Sequence, residues 1–141
     1  MTAITPSMAA ALADAVLAIH VGVVAFVVLG ELSFLIGGWR GWRWVRRFGL
    51  RVIHVLLMLV VAAQAWMGAL CPLTIWEQAL RSHAGEVAFS GSFIEHWLSR
   101  LIFFDAPWWA FVAAYTGFAL LVLLTWRWVP PQRGAAPRRP H

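Results

Sequence analysis

The chain has 141 residues, 62% of them hydrophobic and 12% charged, with a formal net charge of +5. A soluble domain of that length needs far less apolar surface for its core, so the composition excludes a water-soluble globule and makes lipid the main solvent. The basic excess does not point to nucleic acid, because all 11 basic residues are Arg and they cluster at the ends of apolar runs, as membrane topology requires.

The first run covers residues 9–36, beyond the roughly 20 residues that cross a bilayer. The preceding MTAITPSM has no Lys or Arg, so the run reads as a retained anchor rather than a cleaved signal peptide. It carries Asp14, His20 and Glu31, and ionisable groups at membrane depth are costly enough to call for a role. His20 and Glu31 stand eleven residues apart, close to three helical turns, and therefore share a face. Asp14 falls at the depth of Gln64 on the next crossing, where the two could hydrogen-bond.

Five arginines (Arg40, Arg43, Arg46, Arg47, Arg51) then mark the first turn, with no acid among them. The second run, 50–70, carries His54. With the two helices antiparallel, Glu31 and His54 each lie roughly 7 Å from the inner boundary at 1.5 Å per residue and can pair, either as a packing hydrogen bond or as a proton-handling pair. Two histidines also raise haem as a cofactor. His20, however, sits roughly 17 Å further from that boundary than His54, so both cannot ligate one iron, and only ligation by one histidine or across a dimer stays open.

Residues 71–106 hold the reactive side chains. In CPLTIWEQAL, Thr74 precedes Glu77 by three, the spacing of a capping box. A short amphipathic helix over 75–83 follows, burying Ile75, Trp76, Ala79 and Leu80 and ending near Gly85. In GSFIEHWLSR, Ser92 and Glu95 repeat the device ahead of a second amphipathic helix, 93–104, lying in the membrane interface. Asp105 then caps the third crossing, 108–129. Cys71, Glu77, Glu95 and His96, with His83, supply donors for an outward-facing metal or redox site, although no HxxxH or CxxC spacing prearranges a chelate. The structural reading of the same residues is two helix caps, a buried, inert thiol and a solvated imidazole.

The fold expected is an all-α integral membrane protein with three transmembrane helices and two short interfacial ones: a single membrane domain over 1–129, then a disordered basic tail over 130–141. Packing through Ala18 with Gly22 and Ala113 with Gly117 would bring the crossings together. Arginine placement puts the first turn and the tail in the cytoplasm and the amino terminus outside. Tryptophan agrees: Trp39, Trp42, Trp44, Trp126 and Trp128 mark the inner boundary, and Trp66, Trp76, Trp97, Trp108 and Trp109 the outer one.

The stretches ADAVLAIH, CPLTIWE and GSFIEHWL, in that order, resemble a bacterial family of small integral membrane proteins known only as a domain of unknown function. The resemblance runs from Ala10 to Trp128 and takes in Asp14, His20, Cys71, Pro72, Leu73, Thr74, Glu77, Phe93, Ile94, Glu95 and His96. It implies the architecture and a bacterial inner membrane, and it has no activity to lend. No set of nucleophile, base and oxyanion donor can be assembled, so the chain is not read as a hydrolase. Two functions are expected: an accessory or interaction subunit of a membrane complex, with the lipid bilayer, other membrane proteins or a second copy as partners, or a metal- or haem-binding redox protein.

Overall fold

A computed structural model of the chain describes residues 4–87, 96, 97, 100 and 107–133. It is all-helical: α1 (Pro6–Arg40), a 3-10 turn (Trp44–Arg46), α2 (Phe48–Trp66), α3 (Pro72–His83) and α4 (Trp108–Trp128). Helices α1, α2 and α4 are long and apolar enough to cross a membrane.

Helix α1 begins where Thr5 accepts a hydrogen bond from the Met8 amide at 3.3 Å and Pro6 supplies a preset φ at the first helical position. Its 35 residues make it ~52 Å long, against a hydrocarbon thickness of ~30 Å. Its buried stripe (Ala9, Ala13, His20, Val27, Glu31, Phe34) follows a near-heptad spacing, so one face meets partners along the whole length. Helix α2 runs back antiparallel to it, with Arg51 over the Phe34 ring and Met58 packed against Val27. It ends at Trp66, four residues before the expected boundary, because Gly68 turns the chain with φ 64°, a conformation that costs glycine nothing.

Beyond that turn α3 continues in the direction of α2, along the amino-terminal half of α1. It does not follow the sequence expectation in three ways. It starts at Pro72, with Cys71 at the N-cap and no side-chain cap, so the Thr74/Glu77 capping box does not form. The signal missed was Pro72, which favours the first helical position. The buried face is also reversed: Thr74 and Glu77 are buried, while Ile75 and Trp76 are exposed. Where the surroundings are apolar, the polar stripe seeks partners inside the protein and the large apolar side chains face outward. Of the expected helix 93–104 only residues 96, 97 and 100 are described, each helical, and the Ser92 cap, Glu95 and Asp105 lie outside the described residues.

Helix α4 returns antiparallel to α2, closing a core of Val27, Met58, Ala62, Ala119 and Val122. At the end of this pair remote from the arginine-rich turn the Trp108 indole donates to the Ala65 carbonyl at 3.2 Å and the Trp66 indole to Thr116 at 3.0 Å. The packing glycines are not those expected. A Cβ on Gly22 or Gly117 would meet nothing within 4 Å, whereas one on Gly38 would fall 2.3 Å from Val129 Cγ2. Small residues at the contact faces, Ala9 and Ala13 toward α3 and Gly38 toward the end of α4, allow the close approach. The tail, expected to be disordered from residue 130, is fixed at its start: the Gln132 amide donates to the Arg46 carbonyl at 2.7 Å, and Arg133 lies over the Phe48 ring. Residues 134–141 lie outside the described residues.

Candidate functional site: two polar networks and a cavity

The network nearer the arginine-rich turn, named inner for the orientation expected from the arginines, joins all three spans. Glu31, Arg51 and His54 are each 1% exposed and Thr125 is fully buried. The Thr125 hydroxyl hydrogen-bonds the Glu31 carboxylate, and His54 Nδ1 stands 4.0 Å from Glu31 Oε2. His54 Nε2 donates to the Val27 carbonyl at 2.8 Å, since a carbonyl can only accept. Nδ1 therefore presents its lone pair toward Glu31 whenever the ring is neutral. Arg51 donates to the Val129 carbonyl at 3.4 Å, lies over the Phe34 ring at 4.4 Å and is within electrostatic reach of Glu31. A guanidinium does not deprotonate in a protein, so a buried Arg51 needs an anion, and Glu31 supplies it. Gly30 leaves room for the imidazole: a Cβ there would come within 3.1 Å of His54 Cδ2.

The outer network fastens α3 to α1. Arg81 donates to Glu77 at 3.0 Å, to Glu86 at 2.8 Å and across to Asp14 of α1 at 3.2 Å. Those hydrogen bonds, Glu77 foremost, hold the Arg81 guanidinium above its usual range, against the opposing pull of burial. Asp14 is thus committed to Arg81 rather than to Gln64, with its side chain 72% exposed at the edge of the network. Glu77 is buried within electrostatic reach of His20, and its Oε2 has no hydrogen-bond partner among the described residues; the same holds for the Thr74 hydroxyl.

Between the two networks lies a cavity of about 330 Å³, bounded by α1, α2, α4 and the start of α3. Its walls are valines with Met58 and Phe118, and its polar lining comes from His20, Gln64, Cys71, Thr74 and Tyr115. A volume near 300 Å³ with mostly apolar walls and a few polar groups matches small-molecule sites in general.

The residues singled out in the sequence separate accordingly. Glu31 and His54 meet, and His20 lies seven residues along α1 from Val27, the His54 partner, about 10 Å away. Cys71 is a free, half-buried thiol at the cavity and Glu77 is tied to Arg81. His96 packs edge-on against Trp97 at 5.8 Å, and Glu95 lies outside the described residues. Among the described residues no three His, Cys, Asp or Glu side chains are arranged to hold a metal ion. Arg51, Arg81 and Thr125 were missed as network members. The sequence reading takes Arg51 only as a topology charge, yet an Arg at the second position of the apolar run 50–70 is itself a sign of a buried counter-ion.

Fold and networks together define a small helical membrane protein whose spans are tied together by buried acid, base and hydroxyl groups. The chain belongs to the family described as "Protein of Unknown function (DUF2784)", whose model matches residues 10–131. No curated protein and no solved structure matches it.

Proposed function

We propose that the protein is an accessory subunit of a larger complex in the bacterial inner membrane, with its amino terminus outside, and that it binds its partner through the open outer half of the bundle. The observation that carries the reading is the cavity itself. Helix α1 leans on α3 and α2 on α4, which leaves about 330 Å³ of mostly apolar space between the pairs. In a packed interior such a space forfeits dispersion contacts, and an inserted apolar side chain from a neighbouring helix restores them. Val28, on its rim, is 43% exposed and lies on the same helix as the exposed Ile19 and Val21. The inward orientation of the arginine-rich end is supported by the absence of Asp and Glu from the first turn and the tail.

Binding rather than catalysis suits the polar groups. Glu31, His54, Glu77 and Arg81 are each engaged with a neighbour in the fold, and no nucleophile sits beside a base with an oxyanion donor among them. The other reading raised by the sequence, a metal- or haem-binding redox protein with an outward-facing Cys/His/Glu site, has less support, because among the described residues no three His, Cys, Asp or Glu side chains gather to hold a metal ion. A photoreactive residue at Val28, activated in intact membranes, tests the proposal. A discrete adduct with a second membrane protein supports it. Adducts with lipid alone, or with another copy of this chain, count against it.

A further inference from the structure

Two arginine groups far apart in the sequence meet at the inner end of the bundle. The Gln132 amide bonds the Arg46 carbonyl, and Gln132 forms a parallel bridge with Arg47, which draws Arg133 against the first turn. The result is a concavity of about 970 Å³ lined by Arg43, Arg46, Arg47, Arg133 and Gln132. Its remaining wall is Trp42 and Trp44, stacked with ring centroids 6.1 Å apart. Arg43, Arg47 and Arg133 are exposed and Arg46 is half-buried. None of the four makes an ion pair with a carboxylate among the described residues, in contrast to Arg81, which has three.

Four like charges lining one concavity repel one another unless an anion lies among them. Each guanidinium offers a planar fork of donors that matches phosphate oxygens. Height narrows the choice of anion. Helices α1 and α4 end at Arg40 and Trp128 beside the concavity, and Trp39 and Trp128 are 87% and 62% exposed, as indoles in a headgroup layer would be. Phosphodiesters of the adjoining leaflet lie at that level, and basic pockets at the ends of transmembrane helices are suited to polyphosphorylated lipid headgroups.

We propose that this concavity is a binding site for an anionic phospholipid carrying two phosphodiester groups. Two phosphates bring two anionic centres to the four arginines, which a single-phosphate headgroup cannot do. The stacked tryptophans then cover the glycerol and upper acyl carbons. This site lies at the opposite end of the bundle from the outer cavity and does not depend on how that cavity is filled.

The experiment is native mass spectrometry of the full chain in mild detergent, titrated with cardiolipin, phosphatidylglycerol and phosphatidylcholine. Cardiolipin should be retained in preference to phosphatidylglycerol, with phosphatidylcholine weakest. The triple substitution Arg43→Gln, Arg46→Gln and Arg133→Gln should weaken cardiolipin by roughly 100-fold, a factor of about 5 for each charge near a surface compounded over three. Arg100→Gln, outside the concavity, should leave it unchanged. Should the triple variant fail to fold, the exposed Arg43→Gln alone should still weaken cardiolipin by about 5-fold. Equal retention of all three lipids, or undiminished cardiolipin in the arginine variants, overturns the proposal. Displacement of cardiolipin by equimolar inorganic pyrophosphate also overturns it, because the occupant would then be a soluble diphosphate.

Discussion

Replacing Glu31 with Gln separates charge from shape in the inner network. Gln keeps an oxygen to accept from Thr125 and gains an amide that can donate to His54 Nδ1, so in hydrogen-bond terms the change costs no more than about 1 kcal/mol. The electrostatic cost is larger. Arg51 is 1% exposed and keeps its charge, so losing its anion leaves an uncompensated buried cation, a change worth about 3–5 kcal/mol. Glu31→Gln should therefore destabilise by about 3 kcal/mol, a fall of roughly 10 °C in melting temperature for a chain of this size. Arg51→Met alone should also destabilise, and the double variant should recover most of the loss, because a matched apolar replacement of a buried pair is often close to neutral. Thermal unfolding in lipid nanodiscs, followed by intrinsic tryptophan fluorescence, gives the double-mutant cycle. A loss under about 1 kcal/mol for Glu31→Gln, or additive effects in the double variant, would refute the counter-ion role.

Gly38→Ala should cost about 1–3 kcal/mol, because its Cβ would lie 2.3 Å from Val129 Cγ2, while Gly22→Ala and Gly117→Ala, with open space, should be neutral or stabilising in the same melts. Thr74→Val should be close to neutral in ligand-free protein, since the Thr74 hydroxyl has no partner to lose among the described residues; a loss of about 1 kcal/mol would restore the capping box. Hydrogen bonding, that of Glu77 foremost, raises the Arg81 guanidinium above its ordinary range, so its contribution is fully present below that range and is lost only as pH rises through the higher folded value. Arg81→Gln should accordingly lower the melting temperature by a similar amount at every pH from about 6 to 10, and a difference that vanished within that range would contradict the assignment.

The crossings were legible because long apolar runs between arginine clusters have one economical solution in lipid. The Glu31–His54 meeting was legible for a simpler reason: two helices of known rise running in opposite directions bring equal depths together. Helix α3 was not. The rule for helices at a water surface buries Ile75 and Trp76, whereas here Arg81 finds Asp14 on α1 and Glu77 is buried within electrostatic reach of His20 there. Nor could spacing alone distinguish Ala18 and Gly22, which lie on an exposed face, from Ala9 and Ala13, which lie on the contact face, because every stripe of α1 is apolar. The joining of the tail to the first turn through Gln132 had no local signal at all, since a single backbone hydrogen bond between distant segments leaves no periodicity to read.

Exposed Ser82 and Arg43 stand at opposite ends of the bundle, on the α3 side and the arginine-rich side. In a Cys71→Ser background, Ser82→Cys should react with a membrane-impermeant maleimide in intact spheroplasts, and Arg43→Cys only after lysis. Reaction of Arg43→Cys in intact spheroplasts with Ser82→Cys protected would place the arginine concavity outside and contradict the orientation, and equal reaction of both would contradict the membrane-spanning arrangement.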